Sequence, residues 1–167
     1  MILMLKRIFR HLCMTPMHLK TYFPKAAIAR IEDAIRHSEA THAGEIRFAV
    51  EMNLSFTELL RKKSGRERAI EVFSDLRVWD TQHNNGVLIY LLLADHDFEI
   101  VADRGICQHV GSETWQRISH EMEQHFKAGD FEQGVLHGIN EIGLLLAQHY
   151  PASMNIQNEL PNAPIFI

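Results

Sequence analysis

The chain has 167 residues, of which 46% are hydrophobic and 23% charged, and this predicts one globular domain that needs no disulfide bonds. Its net charge of −4 conceals a basic start, because residues 1–25 carry five Lys and Arg residues and no acid, which leaves about −9 for the rest. An acidic body excludes a general nucleic-acid binder, and two cysteines without a CxxC motif favour a reducing compartment.

Residues 1–23 form the first predicted unit, a basic amphipathic arm. On a helical wheel, most apolar side chains of residues 1–13 share one half and the basic side chains occupy the other. This helix either binds an anionic membrane through residues 1–14, packs on the domain, or precedes a true start at Met14 or Met17. Without a bilayer-length apolar run or a signal peptide, we expect a cytoplasmic protein. If the arm binds a membrane, the protein is peripheral at the inner membrane face.

Residues 24–151 form the predicted α/β domain. It opens with a helix over residues 24–41, followed by a strand over residues 45–52 in which apolar and polar side chains alternate. The alternation predicts a half-buried strand near an edge of the sheet. Ser55, with a glutamate three residues later, predicts a capping box for the next helix, which Gly65 either weakens or splits in two.

A β-hairpin is predicted at the centre of the domain. Residues 87–93 are an unbroken apolar run, which indicates a strand covered on both faces. An acidic turn at residues 95–97 leads into a second strand that ends at Asp103. A short additional strand at residues 77–79 is a further possibility.

Two helices and a tail follow the hairpin. The first helix spans residues 112–128, the second begins at Asp130 and ends before Pro151, and residues 152–167 form an extended tail, on the surface or disordered. The order of elements predicts a three-layer α/β/α sandwich. It is a Rossmann-like α/β fold with a small mixed sheet and a central β-hairpin.

Four segments in this order carry a resemblance to a known family: NNGVLI at 84–89, EIVADRGI at 99–106, FKAGDF at 126–131 and the helix start at 134–139. Over residues 28–151 the chain resembles the TPM domain family, named after a thylakoid-lumen protein of photosystem II repair and a nematode receptor modulator. The resemblance implies a Rossmann-like α/β/α fold. It also implies one of three activities: weak acid phosphatase activity, calcium binding, or an accessory role beside a membrane protein.

The chain departs from the secreted members of that family. They open with an Asp-containing turn and a Leu-Ser helix start, whereas this chain has IEDAI at residues 31–35. It looks like the cytoplasmic branch, and the missing aspartate argues against carrying a metal site over from the secreted members.

Acidic and amide side chains at one end of the hairpin suggest a metal site. The loop with Asp80, Asn84 and Asn85 enters the central strand, and Asp103 leaves the neighbouring strand at the same end of the sheet. Their oxygens suit Ca²⁺ or Mg²⁺, and Arg104 beside them suits a phosphate oxygen. The alternative is that these residues only form turns.

Two functions remain open on the sequence. The first is an accessory or interaction domain at the cytoplasmic membrane face, with a membrane protein or the anionic membrane surface as its partner. The second is a weak metal-dependent acid phosphatase that hydrolyses phosphomonoesters. In this second function Asp80 and Asp103 hold the ion and Arg104 binds the phosphate.

Overall fold

The computed structural model describes residues 2–152 and 158–167 of the chain. In chain order its helices and strands are α1 (Ile2–Cys13), α2 (Pro16–Tyr22), α3 (Lys25–Glu39), β1 (Glu45–Glu51), α4 (Phe56–Leu60), α5 (Gly65–Asp75), β2 (Gly86–Leu92), a 3₁₀ turn (Leu93–Asp95), β3 (Asp97–Ala102), α6 (Arg104–Cys107), α7 (Ser112–Lys127), α8 (Phe131–His149) and β4 (Ile165–Phe166). No helix in the described part is long and apolar enough to span a bilayer.

The sheet is mixed and has the strand order β3-β2-β1-β4. β1 pairs in parallel with both β2 and β4, and β2 pairs antiparallel with β3. Every residue of β2 is buried, because the strand lies inside the sheet and helices cover both of its faces. The predicted central hairpin and mixed sheet are therefore confirmed.

Two hydrophobic cores lie on opposite faces of the sheet. Side chains of α3, α7 and α8, such as Ile35, Ile118 and Ile142, form the larger core. Side chains of α4 and α5, such as Leu59 and Val72, form the smaller core on the other face. The two cores make the three-layer α/β/α sandwich that the order of elements predicted.

The prediction of a half-buried β1 was wrong, because both faces of this strand are covered. β4 occupies the edge beside it, and all seven β1 residues are buried. Its polar side chains are buried with partners. Glu45 accepts hydrogen bonds from the backbone N–H groups of Glu159 and Leu160, and Arg47 contacts the carbonyl of Ala163. The residues after 157 thus cover the side of β1 that alternation assigned to solvent.

Some of the remaining local predictions are confirmed and others are wrong. The Ser55 capping box is confirmed, and the helix that follows is split, with Ser64 capping α5. Residues 77–79 form a turn rather than a strand, and Arg77 there has a φ of 52°. Asp103 does not simply end β3, since its side chain caps the one-turn helix α6.

Helices α7 and α8 approach each other at the level of the backbone. A Cβ atom on Gly134 would collide with the ring of Phe126, and one on Gly138 would meet the side chain of Met122. The two glycines lie one turn apart on α8 and face α7. The position of α7 is therefore set by the absence of side chains on this part of α8.

Candidate functional site

The loop before β2 and the exit of β3 meet at one end of the sheet. The Gly105 N–H donates to the Asn84 carbonyl at 2.8 Å, and the Asp103 N–H donates to the Gly86 carbonyl at 2.9 Å. The Arg104 guanidinium donates to Asn84 Oδ1, at 3.0 Å from Nη2. Asn84 and Arg104 are thus in direct contact, beside Asp103.

Two oxygen acceptors at this end are buried without a hydrogen-bond donor from the described residues. Asp103 is 8% exposed, and its Oδ1 accepts the Arg104 N–H at 2.7 Å while Oδ2 has no donor. Asn85 is fully buried, and its Nδ2 donates to the Ala43 carbonyl while Oδ1 has no donor. Buried acceptors are normally satisfied, and oxygens of this type are ligands of hard cations.

Asp80 lies apart from these interactions. Its side chain is exposed, and its backbone N–H donates to the Arg77 carbonyl in the turn before the loop. Within residues 2–152 and 158–167, no three His, Cys, Asp or Glu side chains are grouped so that they could hold a metal ion. A cation here would need amide oxygens and water in addition to the Asp103 carboxylate.

Aromatic side chains from three separate segments adjoin this end, and sequence reasoning missed them. The rings of His109 and His149 stack at a centroid distance of 4.9 Å, and Tyr150 lies 5.8 Å from His109 and 6.3 Å from His83. Burial raises the pKa of the Tyr150 hydroxyl, and the Asp103 carboxylate raises it further. No spacing in the sequence links the three segments.

The N-terminal helix α1 binds the domain through polar contacts to Asp95 and through Ile8, which packs on the smaller core. Arg7 and Arg10 both donate to the Asp95 carboxylate at 2.8 Å. His11 is buried, with Nδ1 accepting the Leu54 N–H at 3.0 Å and Nε2 lying 3.2 Å from Asp95. Burial opposes the charged form of Asp95, but the hydrogen bonds from His11 and Arg7 outweigh it and lower the pKa of this carboxyl.

Part of the apolar side of α1 faces outward. Leu5, Phe9 and Leu12, which repeat at helical spacing, are 60%, 67% and 69% exposed. The sequence left open whether the arm packs on the domain or binds a membrane. In the structure it packs on the domain through polar side chains and Ile8, and it still presents a row of large apolar side chains, which is typical of an interaction surface.

Comparison with known proteins gives one family and two solved structures. The TPM domain model matches residues 19–144. The BA42 protein of the psychrophilic bacterium Bizionia argentinensis is 33% identical, with a TM-score of 0.75 over 85% of this chain and 93% of that one. The N-terminal domain of a P. gingivalis protein is 17% identical, with a TM-score of 0.58 over 72% of this chain and 76% of that one, and shares the fold. No curated protein matches the chain.

Proposed function

The chain belongs to the TPM domain family, as its motifs indicated, and from that premise we propose that it is an accessory module at the cytoplasmic face of a membrane. In this role α1 attaches the domain to the anionic lipid surface, beside a membrane-protein partner. The observation that carries the proposal is the outward row of Leu5, Phe9 and Leu12, held in place by Asp95.

The apolar row supplies most of the attachment free energy. Complete burial of a Leu or Phe side chain contributes about 1.5–3 kcal/mol, so three side chains that are roughly two-thirds exposed contribute about 3–6 kcal/mol. This is comparable to a single acyl anchor, which gives reversible binding. The proposal therefore describes a peripheral protein that exchanges between membrane and solution.

Electrostatic attraction is weaker than the number of basic residues in the arm suggests. Arg7 and Arg10 share the single carboxylate of Asp95, so this group of three has one net positive charge. Lys6 is exposed on the same helix and adds a second. Since each basic residue near an anionic surface contributes about 1 kcal/mol, lipid charge adds about 2 kcal/mol to the apolar term.

Vesicle co-sedimentation tests this attachment. We expect binding to vesicles of phosphatidylserine and phosphatidylcholine, and a weaker association with phosphatidylcholine alone. The double variant Phe9→Ser with Leu12→Ser loses about 2–4 kcal/mol, a thirtyfold or larger loss of affinity. The matched control is Ile70→Ser, which changes a 48% exposed apolar residue on α5. Undiminished binding of the double variant would rule out attachment through α1.

A second candidate function is favoured by the two buried oxygens without donors, Asp103 Oδ2 and Asn85 Oδ1. In this candidate the chain is a weak metal-dependent acid phosphatase that hydrolyses phosphomonoesters. Asp103 and Asn85 would hold Ca²⁺ or Mg²⁺, with Asn84 supplying a further oxygen from the loop. Asp80 would join them only after a movement of the turn that holds it. A bound ion would supply positive charge that stabilises the phosphoryl oxygens. Arg104 would exchange its contact with Asn84 for a phosphate oxygen.

Metal titration followed by two-dimensional NMR tests the second candidate. Addition of Ca²⁺ and then Mg²⁺ should give saturable shifts at Asn84, Asn85 and Asp103. Asp103→Asn should abolish these shifts and any phosphatase turnover while the fold survives, because asparagine also caps a helix. Asp130→Asn, at an exposed carboxylate, is the control. Full turnover in Asp103→Asn would exclude this mechanism.

A further inference from the structure

Strand β3 leaves one edge of the sheet open, whereas β4 occupies the opposite edge. The Asp103 N–H pairs with β2, and hydrogen bonding alternates along an antiparallel strand. The backbone groups of Phe98, Ile100 and Ala102 therefore point away from β2. Side-chain contacts agree, because Arg66 donates to the Ile100 carbonyl at 2.6 Å and the Cys107 thiol to the Ala102 carbonyl at 3.4 Å.

A groove of about 810 Å³ runs along this open edge. Helix α7 forms one wall and the side chain of Arg66 stands on the other side. Val110 and Trp115 give it an apolar lining on the α7 side. Trp115 is only 9% exposed, and its indole N–H has no acceptor among the described residues, so a carbonyl of an occupant would satisfy it.

The groove is acidic. Carboxylates of Asp97, Glu99 and Glu123 line it, and among the described residues Arg66 is the only Lys or Arg in the lining. Burial first, and then its acidic neighbours led by Glu99, raise the pKa of Asp97 to about 6. The carboxylates are thus close enough to repel one another, and a cation placed among them would relieve that repulsion.

The two faces of β3 differ along the groove. Asp97 and Glu99 lie on the α5 side, where Arg66 contacts Glu99 at 3.3 Å. Phe98 lies on the α7 side, where the centroid of its ring is 3.7 Å from that of the Phe126 ring. A strand added beside β3 would place alternate side chains on these two faces, one set among carboxylates and the other against apolar groups.

We propose that this groove binds an extended segment of a partner protein, in which basic and apolar residues alternate, as an additional strand on β3. Backbone hydrogen bonds to Phe98, Ile100 and Ala102 give affinity, and the carboxylates select Lys or Arg. At about 3.4 Å per residue, the edge from Phe98 to Ala102 is about 14 Å long and accommodates four or five residues. Arg66 now donates to the Ile100 carbonyl and the Cys107 thiol to the Ala102 carbonyl, and both donors must move aside.

The probe is a peptide of about eight residues that alternates lysine and valine, long enough to cover the 14 Å edge. Titration followed by NMR should give saturable shifts at the amides of Phe98, Ile100 and Ala102. A glutamate–valine peptide should not bind, because its charge is repelled. A lysine–proline peptide should not bind either, because proline lacks the N–H that strand addition uses.

Variants of the chain sharpen this test. Arg66→Ala should bind the lysine–valine peptide several-fold more tightly, because a competing donor and a like charge are removed. Glu99→Gln with Glu123→Gln should bind about five- to tenfold more weakly. Arg117→Ala, which removes an exposed arginine outside the groove, should bind like the unmodified chain. Weaker binding by Arg66→Ala, or equal binding of the lysine–proline peptide, would overturn the proposal.

This inference is independent of membrane attachment. The peptide titration contains no lipid and uses the chain with α1 intact, whereas the vesicle assay contains no peptide. Failure of one experiment therefore leaves the outcome of the other unchanged.

Discussion

The carboxyl of Glu39, at the end of α3, makes the stability of this protein depend on pH. Glu39 is 8% exposed, its Oε1 accepts the Ile46 N–H at 2.9 Å, and its Oε2 contacts the Asn162 amide. The pKa of Glu39 is raised to about 8, mainly by burial. The hydrogen bond from the Ile46 N–H lowers the pKa in part, and the charge of Glu45 raises it. The carboxyl is therefore protonated in the folded state at neutral pH.

The sign of the effect follows from proton binding. Between its ordinary value of 4.5 and about 8, the folded state holds a proton on Glu39 that the unfolded state has lost. The free energy of unfolding therefore falls as pH rises through this window. Each pKa unit corresponds to about 1.4 kcal/mol, so the loss across the window is about 3–5 kcal/mol.

Glu39→Gln should remove this dependence, because glutamine keeps the shape and the acceptor for the Ile46 N–H but carries no charge at any pH. Urea unfolding at several values between pH 5 and pH 9 measures it. We expect the variant to exceed the unmodified chain in stability at high pH and to converge with it near pH 5. The contribution of Glu45, whose pKa burial also raises, is present in both proteins and cancels.

The control is Glu113→Gln, which neutralises an exposed carboxylate in the first turn of α7 and should leave the pH dependence unchanged. If Glu39→Gln and the unmodified chain lose stability in parallel as pH rises, Glu39 is charged in the fold and the reasoning is refuted.

Three further predictions concern single contacts. Tyr90→Phe removes the 2.7 Å hydrogen bond to the buried Glu51 carboxylate and should lower the free energy of unfolding by about 1.5–3 kcal/mol in urea; an unchanged midpoint would contradict it. Gly105→Ala places a Cβ against two backbone carbonyls of the loop before β2 and should lower the free energy of unfolding by about 2–3 kcal/mol. Gly111→Ala, which has open space around it, should lower it by less than about 1 kcal/mol. Equal losses in the two variants would refute the steric argument. Asp95→Ala removes the acceptor that holds α1 and should weaken the docking of this helix by about 2–4 kcal/mol. The measurement is amide hydrogen exchange, which should become faster throughout α1. Full protection of these amides would show that other contacts hold the helix.

Patterns within short segments were sufficient to predict most of the fold. The apolar run of β2 and the turn after it identified the central hairpin, and the Ser55 box identified the start of α4. These features depend on neighbouring residues alone. The family followed from the same segments, in the order in which they occur.

The errors arose where distant segments decide the environment. Glu45 and Arg47 alternate with apolar residues as on a solvent-facing strand, and only contacts to residues more than 110 positions away bury them. The wheel of α1 distinguishes an apolar from a basic side, but Asp95, 85 positions from Arg10, determines which one faces the domain. Asn84 and Arg104 are in contact because the hairpin places the start of β2 beside the end of β3. That contact could be predicted from the sequence.

The two glycines of α8 have a consequence for how the groove could be altered. Helix α7 carries the groove on one side and rests on Gly134 and Gly138 on the other. Because Gly134 meets a ring and a backbone carbonyl, Gly134→Ala would shift α7 outward by a few tenths of an ångström. A substitution on the buried side of α7 would therefore change the width of the groove. Selectivity for an occupant's side-chain size can change in such a variant while every residue that lines the groove stays the same.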